Sequence, residues 1–330
     1  MSFNLCQIPP PLKPGDRLRV IAPSGALRES EVFERGLEIW RSRGYQVEIS
    51  ASIDDRWGYL AGTDASRRQQ LLAAWQDPEC RGILCARGGY GSARVLEDWT
   101  WGQEGQVGTR GPHASGDKGA KGGQGGQGGV ADSSYFVPKW LIGFSDITCL
   151  LWSLCKVGIS GVHGPVLTTL PTEPEWSIQR LFDWVEGRPL APLKGTGWGG
   201  GVVTGMLLPA NLTVATHLLN TPIQPLFDGA ILALEDVTEA PYRIDRQLTQ
   251  WRLSRAFSKV KGIALGRFSR CAPPPNIPSL TIEEVLRDRL GDLGIPIVWD
   301  LPFGHDGCNA ALPVGAIATL DADRGILSLV

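Results

Sequence analysis

The sequence predicts an α/β fold with a parallel sheet in its first half and a second, more β-rich domain in the remainder. Short apolar runs alternate with helical patterns as far as residue 154, which is typical of a parallel sheet covered by helices. Beyond a stretch at 171–201 that is rich in Pro, Glu, Trp and Gly, strand-like runs outnumber helical ones. The length of 330 residues also favours two domains over one.

The first part of the chain contains three strand-like runs separated by two helical patterns. The run LRVIA at 18–22 is bounded by Pro-Gly and Pro-Ser-Gly, and it predicts a buried parallel strand. Residues 29–43 carry apolar side chains at helical spacing and lead to a second strand at 47–49. A second helix at 66–75 precedes a third strand at 82–86, which runs directly into the glycine-rich sequence RGGYG.

A segment at about 101–134 interrupts this alternation. It contains GTRGPHASGDKGAKGGQGGQGG, in which apolar residues are nearly absent. Such a composition cannot bury enough surface to offset the entropy cost of ordering, so we predict a disordered insertion on a surface loop. The pattern then resumes with a strand at 140–143 and an amphipathic helix whose apolar residues recur at i, i+3, i+4 and i+7 from Ile147.

We expect residues 1–170 to form the first domain, 171–201 a linker around a short helix at 177–184, and 202–330 the second domain. Apolar runs in the second domain predict strands at 230–234, 262–265, 295–298, 316–320 and 326–330. Helical patterns are present at 210–219, 243–254 and 282–290.

Composition and charge exclude several classes of partner. The formal net charge of -2 gives no electrostatic reason to expect nucleic acid or an anionic membrane. The seven cysteines are scattered without a C-x-x-C pair, which favours reduced thiols in a cytosolic protein. No signal-peptide pattern precedes the first strand, and the apolar runs are too short for a transmembrane helix. We therefore predict a soluble cytoplasmic protein.

Ser145 is the first candidate for chemistry. It stands between a predicted strand and a predicted helix, where a sharp turn can expose a nucleophile beside backbone N–H groups and the positive end of a helix. The G-x-S-x-G motif is incomplete, because Ile147 occupies the place of the second Gly. The alternative is that Ser145 or Asp146 only caps the helix.

The glycine loop at 87–92 is the second candidate. It follows a strand, so its N–H groups could serve an oxyanion or a substrate carboxylate, or the loop could be only a tight turn. It matches neither the dinucleotide fingerprint, which fails at Arg94, nor a P-loop. Cys85 lies within the preceding strand, where a buried thiol is usually inert, so we do not favour it as a nucleophile.

Three further candidates, one carboxylate and two histidines, lie elsewhere in the chain. Glu235 ends a strand and is followed by Asp236, so it could orient a catalytic base, be an exposed strand-end acid, or form a metal pair with Asp236. No His-rich spacing supports a metal site. His305 lies in a turn between two apolar strands, and His163 also follows a strand, so both are candidate bases. A lone loop histidine can equally be a surface residue.

Together these signals resemble one known family. The matching runs, in chain order, are VIAPSG at 20–25, AGTD at 61–64 with Arg67, ARGGYG at 86–91, GFSDIT at 143–148, LEDV at 234–237, YRIDR at 242–246, and GH at 304–305 with LPVG at 312–315. In this order, and over nearly the whole chain apart from the insertion, they resemble the LD-carboxypeptidase family of serine peptidases, which also includes microcin-immunity hydrolases.

The resemblance implies a Ser–His–Glu triad in a cleft between two domains. Ser145 would be the nucleophile on a Rossmann-like N-terminal domain, while His305 as general base and Glu235 as its orienting carboxylate would come from the smaller β-rich α/β C-terminal domain. By position, the backbone N–H groups of Gly89 and Asp146 would stabilise the oxyanion. The resemblance implies no metal and no cofactor.

The substrate that the resemblance implies is cytoplasmic murein tetrapeptide, cleaved at its LD amide bond to release D-alanine during cell-wall recycling. The alternatives are a hydrolase of peptidyl-nucleotide or acyl-adenylate compounds and a non-catalytic protein that binds ligands in the cleft. Arg246 or Arg243 could pair with a substrate carboxylate. The family also implies a homodimer. One departure is PANL at 209–212, where the family often has Gly-Gly-Asn-Leu.

Overall fold

The computed structural model describes residues 6–97, 99–101, 138–273 and 275–330. The strands are β1 (Arg17–Ile21), β2 (Gln46–Ile49), β3 (Cys80–Cys85), β4 (Trp140–Gly143), β5 (Gly161–His163), β6 (Leu193–Lys194), β7 (Thr196–Trp198), β8 (Val202–Asn211), β9 (Ala230–Val237), β10 (Gly262–Ser269), β11 (Ile297–Trp299), β12 (Leu312–Val314), β13 (Ile317–Asp321) and β14 (Ile326–Leu329). The α-helices are α1 (Ser30–Ser42), α2 (Asp64–Gln76), α3 (Ser92–Val95), α4 (Thr148–Lys156), α5 (Glu175–Val185), α6 (Leu212–Leu218), α7 (Pro241–Leu253) and α8 (Ile282–Leu290).

The first sheet has the strand order β12-β5-β4-β3-β1-β2, and its strands β1 to β5 run parallel. Successive residues of its central strands face opposite layers, as the pleat requires. Ile83 and Leu141 pack with α2 and α4, whereas Leu84 and Ile142 pack with α1 and α5. The carboxyl ends of these parallel strands form one edge of the sheet, where the loops after β1, β3 and β4 meet.

The second sheet has eight strands in the order β6-β14-β13-β8-β9-β10-β11-β7. Its central strands β8 to β11 are parallel, and the outer strands are antiparallel. One face packs against α6, α7 and α8, and the other packs against a smaller cluster that includes Phe303. The predicted α/β fold class, with a parallel sheet in the first part of the chain and a second, β-rich α/β part, is confirmed.

The two domains are joined by direct contacts between α4 and β8. The indole nitrogen of Trp152 donates a hydrogen bond to the carbonyl of Pro209 at 3.0 Å, and the backbone N–H of Asn211 donates to Thr148 Oγ1 at 3.0 Å. Near the chain end, Leu312–Val314 returns to pair antiparallel with β5 of the first sheet. The helix that follows Ser145 therefore lies directly against the strand that ends at Asn211.

Strand β8 is the main departure from the sequence analysis, which predicted a helix from residue 210 and no strand before it. Two sequence features masked it: a run of three glycines precedes Val202, and Pro209 lies inside the strand, where Pro normally argues against a central position. Pro209 is tolerated because it lies beyond Val202–Met206, the residues that pair with β13. The stretch 171–201 also contains more structure than a linker, since it holds α5, β6 and β7.

The predicted insertion at about 101–134 lies outside the described residues, apart from Trp101. That side chain packs edge-on against Trp75 and donates to Ser153 Oγ at 2.6 Å. The domain limits at residues 170 and 202 stay predictions. Within the described ranges, no helix combines the length and apolar character that crossing a membrane requires.

Candidate active site

Ser145 occupies a tight turn at the carboxyl end of β4. Its φ is +62°, a left-handed conformation that costs an L-residue roughly 1–2 kcal/mol. Gly143 permits the turn, because a Cβ at that position would lie 2.9 Å from the Ile147 side chain. A short 3-10 helix, Ser145–Ile147, leads into α4. The interpretation of Ser145 or Asp146 as a helix cap is wrong, since the N-cap of the 3-10 helix is Phe144 and that of α4 is Ile147. The turn instead projects Ser145 from the sheet edge.

The glycine loop after β3 lies against Ser145. A Cβ built on Gly88 would lie 3.3 Å from Ser145 Cβ and 3.4 Å from its Oγ, so the backbone approaches the hydroxyl because Gly88 has no side chain. Gly89 has a φ of +113°, which favours glycine. In the described chain its N–H donates to no backbone carbonyl. The Asp146 N–H lies in the first helical turn, where such groups have no intrahelical partner.

The buried side chain of Asp146 ties together three loops at this edge. Its Oδ2 accepts hydrogen bonds from Ser24 Oγ at 2.6 Å and from the Ser92 N–H at 2.8 Å, and its backbone carbonyl accepts from Ser92 Oγ at 2.5 Å. These residues follow β1, β3 and β4 respectively. The sequence analysis considered only the backbone N–H of Asp146. Its carboxylate, which fixes the glycine loop beside the nucleophile turn, was missed.

Glu235 and His305 meet on the other side of the site. Glu235 lies in β9 and is fully buried, and its Oε2 is 2.6 Å from His305 Nδ1. Burial acts to lower the pKa of His305, but the charge of Glu235 and its hydrogen bond outweigh burial, so the pKa is raised. With Nδ1–H donating to Glu235, the neutral imidazole presents Nε2 as a proton acceptor.

Phe144 connects the two halves of the site. Its ring lies 4.6 Å from the His305 ring, centroid to centroid, and Ser145 is the next residue in the chain. The nucleophile candidate and the base candidate therefore converge across the domain boundary. In the part of the chain that the structure describes, no hydrogen bond joins Ser145 Oγ to His305. Catalytic hydrogen bonds are often long in unliganded enzymes and shorten when substrate binds.

Asn211 is a site residue to which the sequence analysis assigned no role. Its side-chain nitrogen donates to Glu235 Oε1 at 3.3 Å and to Asp236 Oδ1 at 3.2 Å, while its Oδ1 caps α6 at the Val214 N–H. Asp236 also accepts two hydrogen bonds from Thr213. Burial, together with the charge of Glu235, raises the pKa of Asp236 to about 6. The side-chain amide of Asn211 therefore donates to both carboxylates.

A metal role for Glu235 and Asp236 finds no support in the described ranges, where no group of three or more His, Cys, Asp or Glu residues is placed to hold an ion. Both carboxylates bond to protein donors instead.

Two other candidates from the sequence, His163 and Cys85, are fully buried in the structure. His163 is fully buried between Phe144 and Phe303, and burial lowers its pKa to about 4, so it is neutral and shielded from substrate. Burial raises the pKa of the Cys85 thiol, which keeps it protonated.

The two arginines considered for substrate binding are exposed on α7. Arg243 bonds to Tyr242 and faces Glu239, and Arg246 makes no contact with the Glu235–His305 pair among the described residues. Neither arginine is therefore brought to the site in this structure, and their role stays a prediction.

Comparison with known proteins gives a consistent result. Residues 18–107 match the LD-carboxypeptidase N-terminal domain, and residues 204–320 match the LD-carboxypeptidase C-terminal domain. A Synechocystis sp. protein assigned to the carboxypeptidases is 56% identical over 97% of this chain and 96% of its own length. The murein tetrapeptide carboxypeptidase of Pseudomonas aeruginosa is 29% identical over 93% of this chain and 94% of its own.

Two solved structures share the whole fold. The muramoyltetrapeptide carboxypeptidase from Oxalobacter formigenes superposes with a TM-score of 0.75 at 27% identity, covering 95% of this chain and 97% of that one. The microcin C7 self immunity protein MccF superposes with a TM-score of 0.77 at 20% identity, covering 97% of both chains. At that level of identity, the second likeness concerns the fold alone.

Proposed function

The chain belongs to the LD-carboxypeptidase family, and from that premise we propose that it is a serine carboxypeptidase that removes the C-terminal D-alanine from murein tetrapeptide. Its assignment to the carboxypeptidases follows from the family itself. The observation that best supports a serine mechanism is the 2.6 Å contact between Glu235 and His305, whose ring lies against the residue before Ser145. A nucleophile, a base and an orienting carboxylate are the parts that such chemistry needs.

In the first proposed step, Ser145 Oγ attacks the carbonyl carbon of the LD amide bond while His305 Nε2 takes the hydroxyl proton. Glu235 holds the imidazole in the tautomer that leaves Nε2 free and stabilises the imidazolium that forms. The N–H groups of Gly89 and Asp146 donate to the oxyanion of the tetrahedral intermediate. A donor of this kind contributes about 3 kcal/mol to lowering the barrier.

In the second proposed step, the amide C–N bond breaks and His305 gives its proton to the departing amine of D-alanine. The acyl group remains on Ser145. Water then attacks this ester with His305 again as the base, which releases the shortened peptide and restores the serine. No step needs a metal or a cofactor.

The choice of substrate is supported by the relatives named for murein or muramoyl tetrapeptides, which align along nearly the full chain. We place the reaction in the cytoplasm, in cell-wall recycling, because the family resemblance implies cytoplasmic murein tetrapeptide as the substrate. We also propose a homodimer, as the family resemblance implies. Arg246 or Arg243 would recognise the terminal carboxylate if substrate binding brings α7 toward the cleft.

The test is an assay of D-alanine release from purified murein tetrapeptide by mass spectrometry. Wild type should release one D-alanine per tetrapeptide, and Ser145→Ala should release none above background. Absence of release by wild type, or equal release by both proteins, would refute the proposal.

The same assay separates the two alternatives. Turnover of an aminoacyl sulfamoyl adenosine but not of tetrapeptide would indicate a hydrolase of the microcin-immunity type. A protein that binds tetrapeptide without turning over either substrate, and whose Ser145 does not react with a fluorophosphonate, would be a non-catalytic binding protein.

A further inference from the structure

The loop that carries His305, residues 302–310, is held closed by its own backbone. The Ala310 N–H donates to the Pro302 carbonyl at 2.9 Å, and the Gly304 N–H donates to Asn309 Oδ1 at 3.3 Å. Gly304 has a φ of +136°, and a Cβ there would lie 3.0 Å from the carbonyl of Arg267. The direction in which the chain enters His305 therefore depends on the side chain of Asn309.

Asn309 is in turn hydrogen-bonded by two residues near the start of α5. Its N–H donates to Glu173 Oε2 at 2.7 Å, and its carbonyl accepts from Ser177 Oγ at 2.9 Å. Ser177 Oγ also lies 3.0 Å from the same Glu173 oxygen. Glu173 lies just before α5, and Ser177 lies in the first turn of that helix. Phe182 of the same helix packs edge-on against Trp40 of α1. The His305 loop is thus fastened to a helix that is itself fixed in the core of the first domain.

Holding the loop with the Glu173 carboxylate carries a desolvation cost. It is 92% buried by area, and no Lys or Arg forms an ion pair with it among the described residues. Burying a carboxylate without a cation costs several kcal/mol unless strong hydrogen bonds compensate it. The Asn309 N–H donates to Glu173, and the one hydroxyl proton of Ser177 is shared between Glu173 and the Asn309 carbonyl. Hydrogen bonds to a carboxylate are about twice as strong as neutral ones. Burial raises the pKa of Glu173 and the charge of Asp306 in the loop adds to that rise, while the hydrogen bonds from Asn309 and Ser177 oppose it.

We propose that Glu173 and Asn309 are positioning residues that hold the His305 loop so that the imidazole meets both Glu235 and Ser145. The inference rests on the proposed function, because it assigns His305 the role of general base. Neither residue touches substrate. Their effect passes from Glu173 to the Asn309 N–H, from Asn309 Oδ1 to the Gly304 N–H, and so to the backbone of His305.

The principal test is Asn309→Ala, which removes the acceptor of the Gly304 N–H and leaves the backbone bonds to Glu173 and Ser177. We expect kcat for D-alanine release to fall by about tenfold to a hundredfold, as a small misplacement of a catalytic group produces, with KM changed less than about twofold. In the substrate-free protein, the proton on His305 Nδ1 should give a far-downfield NMR signal in wild type. That signal should move upfield or broaden in the variant.

Glu173→Gln provides a milder second variant in case Asn309→Ala does not fold. It keeps the size and one acceptor oxygen but removes the charge, so we expect the same changes to a smaller degree. Glu186→Gln, at the end of the same helix, is the matched control. Glu186 accepts from Tyr45 and pairs with arginines far from the loop, so its loss should leave both kcat and the His305 signal unchanged.

The NMR readout separates this proposal from the proposed function. If wild type releases no D-alanine but the Nδ1–H signal still changes in Asn309→Ala, the positioning role is supported and the carboxypeptidase assignment fails. Folded Asn309→Ala and Glu173→Gln proteins that keep both the wild-type signal and the wild-type kcat would overturn the positioning role.

Discussion

The two sides of the candidate site are held in place by different physical means. On the nucleophile side, a left-handed serine, a close-approaching glycine loop and the Asp146 carboxylate define the geometry, so backbone shape dominates. On the base side, the buried carboxylate of Glu235 holds the imidazole, and the buried carboxylate of Glu173 holds its loop. The nucleophile side should therefore be sensitive to changes in side-chain size and to loss of the single Asp146 charge, whereas the base side should be sensitive to charge throughout and to pH.

The largest expected effect comes from removing the charge on the base side. Glu235→Gln keeps the volume of the side chain but no longer stabilises the imidazolium or fixes its tautomer. We expect kcat to fall by about 10⁴-fold with KM nearly unchanged. Steady-state kinetics of D-alanine release measure this. A loss of less than about tenfold would mean that His305 does not need Glu235.

A smaller effect should follow from loosening the nucleophile side. Asp146→Asn retains one acceptor oxygen but loses the charge that two donors share, so the glycine loop should shift from Ser145. We expect kcat to fall by about tenfold to a hundredfold and the free energy of unfolding to fall by about 1–3 kcal/mol. Ser24→Ala, which removes one donor, should show part of the same loss. Wild-type kinetics in Asp146→Asn would contradict the role of this carboxylate.

The pH dependence should reflect the raised pKa of His305. Because the base must be neutral, kcat/KM should fall as pH drops through a pKa above the usual value of about 6.5 for histidine. In Glu235→Gln, burial is no longer opposed by the carboxylate, so the acid limb of the residual activity should move to lower pH. An acid limb at the same pH in both proteins would contradict the effect of Glu235 on the pKa of His305.

The same ionisation affects stability with the opposite sign. A histidine with a raised folded-state pKa contributes stability that is fully present below about pH 6.5 and is lost as pH rises through the folded-state pKa. The difference in free energy of unfolding between wild type and His305→Gln should therefore shrink over that interval. Denaturant unfolding at a series of pH values measures it.

The smallest effect concerns the strain at Ser145. Ser145→Gly and Ser145→Ala both remove the nucleophile, but only glycine adopts a φ of +62° without steric cost. We expect Ser145→Gly to be more stable than Ser145→Ala by about 1 kcal/mol, since the conformational penalty exceeds the entropy cost of glycine. Equal stabilities would mean that the turn carries no strain.

The nucleophile side was easier to predict from the sequence than the base side. Ser145 follows an apolar strand and precedes a helix, so the local pattern marked it as a candidate, although a helix cap explained that pattern equally well and its role as nucleophile came from the family resemblance. The contacts of Asn211, Glu173 and Asn309 join segments that are distant in sequence, and no local pattern marks such residues. The pairing of Glu235 with His305 came only from the family resemblance.

Among the secondary-structure elements, β3, β4 and α8 were predicted nearly to their ends because their apolar runs or helical spacing are uninterrupted. Strand β8 was missed because Pro209 and the preceding glycines are typical of loops. The pairing of Leu312–Val314 with the first sheet also escaped prediction. A three-residue strand has no periodicity of its own, and its partner lies about 150 positions earlier in the chain.

The central claim is that Ser145 from one domain and His305 from the other act as one catalytic unit. The most direct measurement is kcat of the double variant Ser145→Ala/His305→Ala beside the two single variants. Groups that act together lose their effect together, so the three proteins should have the same residual rate within about threefold. A double variant that is slower than either single variant by the product of their separate effects would show that the two residues act independently, and would contradict the account.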